Sequence, residues 1–330
     1  NFNSSISDTG EKECGFVVKI FHQGIYSEYS FTDFDDSNYE EIVNKINTKL
    51  NVSSSLLSKH MDLTVLKDEP LVDNFERRDT GKAYSNEEVM AELNGLVKKA
   101  MSYDKRMVQA MGFYNNYVVN SFYISKNREL TQSYAFTNIY LVTVAREGEV
   151  IKDNFTVCGD VCAEECFKKI NAKCEEGCKL TIDFLSATPI VPGVYDIVTD
   201  PGVTGLIAHE AFGHGVEMDM FVKKRAKSRL YIEKPVASPL VNMHDGASAA
   251  ISNASFFFDD DGVLAHDTLI IDKGILKGGI SDVIAANELG VEPTGNSRRE
   301  SSQRKAYTRM TNTFFEAGTE KLEDMIRSIK

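Results

Sequence analysis

The sequence predicts an α+β protein of two domains. An N-terminal mixed α/β domain with an antiparallel sheet spans 1–187, and a C-terminal antiparallel β-rich domain with a histidine-bearing helix spans 188–330. Three observations carry this reading. Residues 117–157 form one long β-rich stretch broken only by short turns, which favours antiparallel pairing over a doubly wound parallel sheet. Residues 188–201 hold three prolines and Gly193, a natural seam. A length of 330 residues suits about two domains.

Taken in order, residues 1–13 read as a polar tail. Residues 15–31 read as a hairpin about Gly24: Phe16, Val18 and Ile20 alternate before it, and Tyr26, Tyr29 and Phe31 follow. Ser37 and Glu40 have capping-box spacing and open a helix with Tyr39, Ile42, Val43, Ile46 and Leu50 on one face. Ser85 and Glu88 repeat that spacing ahead of Val89, Leu93, Leu96, Val97 and Ala100. Val118, Phe122 and Ile124, then 135–144, carry strand-forming side chains, with a turn at 146–149 around Gly148. Residues 160–173 read as a helix. Beyond the seam come a short strand at 195–198, the histidine helix, and a meander over 256–271 and 274–278 with turns at 260–262 and 272–274. A short helix at Val283–Leu289, a polar loop over 293–305 and a last helix at 321–329 complete the chain.

Lys plus Arg total 37 against 49 Asp plus Glu, a formal net charge of −12, which argues against a nucleic-acid-binding surface. No apolar run approaches the ~18 residues a membrane span needs, and the start has no apolar signal-peptide core. Five of six cysteines crowd into 158–178, unlike a secreted disulfide framework, so a cytoplasmic location is expected. Their spacing, in multiples of four from Cys158 to Cys178, reads as small buried hydrophobes on a helix stripe rather than a thiolate cluster.

The chemistry concentrates in Gly205-Leu-Ile-Ala-His-Glu-Ala-Phe-Gly-His-Gly-Val-Glu217. His209 and His214 offer two imidazoles, good zinc ligands, and Glu210 offers a carboxylate able to deprotonate a metal-bound water. The familiar His-Glu-x-x-His spacing puts both imidazoles on one helix face. One extra residue here sets them roughly 140° apart on a regular α-helix. Both reach one ion only if the helix bulges, as a π-turn does, and Gly213 lowers the cost of that distortion. The plainer alternative is a helix with two unrelated histidines. A third ligand is not evident: Glu217 could turn inward, and Cys174, Cys178, His244 and His266 are remote candidates. The basic run from Lys223 to Arg229 reads as a solvated face or a grip on a substrate carboxylate. The acidic stretch 258–262 reads as a hairpin turn, since it lacks the spaced oxygen ligands of a calcium loop.

The stretches GLIAHEAFGHGVEMD (205–219), FDDDG (258–262), PTGNSRRES (293–301) and TRMTNTFF (308–315) together resemble the TldD/PmbA metallopeptidases, the modulator-of-DNA-gyrase family. The resemblance implies a zinc-dependent peptidase in which His209 and His214 hold the metal and Glu210 activates water. TldD-type members keep this motif and PmbA/TldE-like partners lack it, so the chain looks TldD-like. It implies a homodimer, or a heterodimer with a TldE/PmbA-like homologue, acting on unfolded or extended peptides. Such substrates would add as a strand to a sheet edge. Arg298, Arg299 and Asn296 are candidates for substrate binding. In the family a cysteine near the C-terminus supplies a third zinc ligand and a β-rich segment follows the 308–315 region, and this chain stops at Lys330, about where that segment should begin. The C-terminal domain is therefore expected to be incomplete and the fragment weak in metal binding. The alternative is a catalytically silent, peptide-binding subunit of a heterodimeric protease.

Overall fold

A computed structural model describes residues 13–22, 25–54 and 68–329. The polar tail (residues 1–12 of it), the Gly24 turn tip and the side chain of Leu50 lie outside the described residues. The expected hairpin forms from β1 (Phe16–His22) and β2 (Ile25–Phe31), paired antiparallel from Phe16↔Phe31. Helix α1 (Tyr39–Ser54) follows, but not through the expected Ser37–Glu40 box. Asp35 instead accepts from the Ser37 and Asn38 backbone N–H groups, and Asn38 accepts from that of Asp35. Strand β3 (Leu71–Arg77) went unread in the sequence. Helix α2 (Asn86–Met101) does carry its capping box: Ser85 Oγ accepts from Glu88 N–H, and Glu88 accepts from Ser85 N–H.

Three long strands, β4 (Met107–Ile124), β5 (Arg128–Glu147) and β6 (Val150–Asp160), make the antiparallel sheet. The β5–β6 turn has Gly148 at φ 61°, a left-handed conformation suited to glycine. Strand β5 is central. It pairs with β4 along one edge, and with parallel β3 and then β6 along the other. Helix α3 (Ala163–Phe184) runs eleven residues past its expected end. It lays Cys166, Phe167, Ile170, Cys174 and Cys178 on the sheet beside Leu96 and Ala100 of α2. Burial pushes the Cys166 thiol up to about 12, in keeping with a packed hydrophobe.

The seam is irregular and exposed. The expected strand at 195–198 does not form: Tyr195 and Ile197 are exposed and find no partner strand. Next come α4 (Pro201–Ile207), a π-helix (Ala208–Gly213), a 3₁₀ turn (His214–Val216) and α5 (Met218–Val222). A small antiparallel sheet underlies them. It is built from β7 (Met243–Asp245), β8 (Thr268–Asp272), β9 (Ile275–Leu276) and, after the β10 (Ser297–Arg298) and β11 (Tyr307–Thr308) pair, β12 (Thr313–Phe315), in the order β12-β7-β8-β9. The expected meander is thinner than read, since 256–267 contributes only the Phe258↔Leu264 bridge. Helices α6 (Val283–Leu289) and α7 (Leu322–Ser328) stand where expected.

The two halves touch closely. The buried Gln132 amide donates to the Phe258 carbonyl (3.0 Å) and accepts from Phe257 N–H (2.9 Å). Arg77 Nη2 donates to the Ser255 carbonyl (2.7 Å), and Phe75 stacks on Phe257 at 5.3 Å.

Candidate metal centre

Asp200 caps α4 by accepting from Val203 N–H, with Pro201 in the first turn, where its missing N–H costs nothing. The helix then widens. His214 N–H donates to the His209 carbonyl, five residues back. In that turn, residues five apart stand one above the other. The His209 and His214 rings therefore meet edge to face, 4.7 Å between centroids and 81° between planes. The geometric condition set by the spacing is met.

Gly213 serves the π-turn differently from expectation. Its φ of −52° and ψ of −63° suit any residue. What matters is room, because a Cβ would overlap Met310 Sδ and press on the Ala208 carbonyl at 3.3 Å. Met310 packs with Ala208, Val216, Met243 and Ile280 beneath the helix. Directly after His214 the chain is clamped: Ile280 N–H donates to the Val216 carbonyl (3.0 Å), and Met218 N–H to that of Ile280 (2.9 Å).

Glu210 is exposed and makes no hydrogen bond or ion pair among the described residues. Glu217 is buried. Its Oε1 lies 3.3 Å from His214 Nδ1, and its Oε2 lies 3.6 Å from Arg309 Nη1. Burial raises the Glu217 pKa, opposed by the charges of Arg309 and His214. The other third-ligand candidates are not with the pair. Cys174 and Cys178 are sealed in the N-terminal core. Both ring nitrogens of His244 are taken, Nδ1 by Asp267 (2.7 Å) and Nε2 by Glu316 (3.0 Å). His266 is exposed ahead of β8. Among the described residues, no group of three or more His, Cys, Asp or Glu could hold a metal ion. The two imidazoles suit zinc as donors but form only part of a usual set.

Two of the expected substrate contacts need correction. Asn296 is fully buried: its Nδ2 donates to Asp245 (2.7 Å) and to the Arg309 carbonyl (3.0 Å), and its Oδ1 accepts from Thr294 (2.7 Å). That amide is spent inside the scaffold. Arg299 donates to the Arg304 carbonyl (2.8 Å) and faces Glu28 and Asp260, fastening the β1–β2 hairpin. Only Arg298 stays exposed; its Nη1 donates to the carbonyl of Met310 (3.2 Å), the residue beneath Gly213. The 258–262 stretch is a turn, as read. Asp259 points inward and accepts from Asp261, Val263 and Ser297 N–H. In the basic run, Lys223 pairs with Asp219 (2.7 Å).

Sequence reasoning missed Asp245 and Arg309. Asp245 is buried and accepts from Asn296, the Thr311 backbone (3.1 Å) and hydroxyl (3.0 Å), and the Thr313 hydroxyl. It thereby binds β7 to the segment that carries Met310. Nothing local in the sequence marks Asp245, and although Arg309 lies in the 308–315 stretch, nothing there shows its pairing with the distant Glu217.

Comparison with known proteins finds likeness in sequence and in fold. Residues 192–330 match the PmbA/TldA metallopeptidase C-terminal domain. A metalloprotease TldD homolog of Buchnera aphidicola is 35% identical over 155 residues, covering 47% of this chain and 32% of that protein. A zinc metalloprotease TldD homolog of Saccharolobus solfataricus is 24% identical over 324 residues, covering 96% of this chain and 69% of that one. The chain thus matches about a third of the length of the Buchnera relative. The fold is that of TldE from Thermococcus kodakarensis (TM-score 0.70, 18% identity, covering 95% of this chain and 70% of that one). It is also that of a Thermotoga maritima protein named for DNA gyrase modulation (TM-score 0.76, 17% identity, 94% and 69%).

Proposed function

Because the chain belongs to the TldD/PmbA metallopeptidase family, we propose that it is a TldD-like, zinc-dependent peptidase acting on unfolded or extended peptides. One observation carries the proposal: the π-turn brings His209 and His214 together and leaves the Glu210 carboxylate without a partner among the described residues.

His209 and His214 would hold the ion. Bound zinc supplies Lewis acidity toward a carbonyl oxygen and makes water easier to ionise. Glu210 acts as the general base: its carboxylate takes a proton from the attacking water and passes it to the departing amine nitrogen. Arg298, exposed and tethered to the Met310 carbonyl, is positioned to bind a peptide carbonyl or terminus. The edge strand β12 packs against the π-helix and offers a rail for an added substrate strand. The partner would be a second copy or a TldE/PmbA-like homologue, in the cytoplasm. Direct action on nucleic acid is disfavoured by the net charge of −12. Among the described residues no helix is long and apolar enough to cross a membrane.

The domain boundary belongs to the proposal. Residues 1–187 carry the long sheet with α2 and α3, and 188–330 carry the metal helix and its small sheet.

The test pairs metal content with hydrolysis of an unfolded peptide. Glu210→Gln should keep zinc and lose at least about 10²-fold in turnover, whereas His209→Ala should lose the zinc. Unchanged turnover in Glu210→Gln overturns the assignment. A second reading, a silent peptide-binding subunit, draws on the want of a third ligand among the described residues. It requires peptide binding by the wild-type chain with no turnover at saturating zinc.

A further inference from the structure

The buried carboxylate behind His214 is not used by the proposed chemistry, yet its surroundings are built. Glu217 exposes 3% of its side chain. An anion so enclosed is costly unless paired and hydrogen-bonded. Its two oxygens face two different groups, His214 Nδ1 at 3.3 Å and Arg309 Nη1 at 3.6 Å. Arg309 is itself fixed, donating to the Thr308 carbonyl (2.8 Å) and lying 5.4 Å from the centre of the Tyr307 ring. The Glu217 backbone bridges to Ile280 between the two clamping hydrogen bonds of Val216 and Met218. The carboxylate is therefore held from both sides and cannot follow a rotating imidazole.

We propose that Glu217 is a positioning residue for His214. Its carboxylate accepts the Nδ1 proton and so presents Nε2 as the metal-facing nitrogen, while Arg309 braces the carboxylate from behind. The role rests on the metal reading above. A neutral imidazole has one donor and one acceptor nitrogen, so a proton committed to Nδ1 leaves the lone pair on Nε2. His214 is half exposed and meets only the edge of the His209 ring in the turn, so its bond to Glu217 is what sets the orientation of its nitrogens. Partners of this kind, one step behind the ligand, are typically worth 10- to 100-fold in metal affinity.

Two measurements on the 330-residue chain test it. The first is nitrogen-15 NMR of the metal-free, histidine-labelled protein, which reads the His214 tautomer without any ion. The proposal expects the Nδ1–H form in wild type and in Glu217→Gln, whose amide oxygen still accepts. It expects a mixture in Glu217→Met, which fills the space without an acceptor. The second is zinc titration. Glu217→Met should bind about 10- to 100-fold more weakly, and Glu217→Gln within about threefold of wild type. A purely packing role would lower the melting temperature of Glu217→Met with tautomer and affinity unchanged, and that result overturns the proposal. So does a wild-type His214 in the Nε2–H form, which needs no variant to fold, or a zinc-loaded His214 bonded through Nδ1. Wild type with the Nδ1–H tautomer but no zinc uptake overturns the metal reading instead, and the positioning role falls with it.

Discussion

Single atoms decide the shape of the site. Gly213 has ordinary helical angles, so its want of a Cβ, not its freedom, admits Met310 under the π-turn. Gly213→Ala should cost about 1–3 kcal/mol by overpacking and weaken zinc binding by pushing His214 aside. Adding Met310→Ala should restore part of both, a coupling read by thermal denaturation of the two single mutants and the double. A double mutant whose losses simply add would refute the steric account. Asp245 is the other decisive residue. Asp245→Ala strands the buried Asn296 amide and frees Thr311 and Thr313, and about 3 kcal/mol of stability should go with it. Calorimetry would show it, and a loss below about 1 kcal/mol would mean the network relaxes easily.

At the level of elements, β12 joins the site to a charge clasp. It packs against the π-helix and pairs with β7, whose His244 lies between Asp267 and Glu316, with Asn242 also donating to Glu316. Burial alone would lower the His244 pKa, but the hydrogen bonds and charges of Asp267 and Glu316 outweigh it and the pKa is raised. The sign follows. The clasp contributes fully below the unfolded histidine value of about 6.5 and is lost as pH rises through the raised folded value. Glu316, whose pKa is lowered by Asn242 and His244, adds its share above the ordinary carboxylate range and loses it as pH falls through the lowered value. The melting temperature of wild type should therefore fall between pH 6 and pH 8 more steeply than that of His244→Gln. Parallel slopes would remove the clasp. What was legible in the sequence belongs to this scale. Capping at Ser85, the Gly148 turn and the five-residue histidine spacing are local rules, and each appears in the fold. Strand β3 was not legible, because its apolar positions are sparse and its parallel partner lies over fifty residues away. At 195–198 the reverse holds: a stretch with strand-forming Tyr195, Ile197 and Val198 but no neighbour to pair with among the described residues stays coil. Asn296 sits in a polar loop, whose residues usually face water, and only the distant Asp245 explains its burial.

Over the whole molecule, an exposed seam joins two halves that are nonetheless sewn together by Gln132, Arg77 and Phe75. Limited proteolysis should cut within 188–200, and the two pieces should co-elute until denaturant is added. Separation without denaturant would show that the contacts contribute little. The central claim concerns one place, the widened turn that turns a five-residue spacing into a pair of converging imidazoles. X-ray absorption at the zinc edge tests it most directly. The account predicts two imidazole nitrogens at about 2.0–2.1 Å in the zinc-loaded chain, with the imidazole signal falling in His209→Ala and in His214→Ala. Zinc bound without imidazole scattering, or a spectrum indifferent to both substitutions, would contradict it.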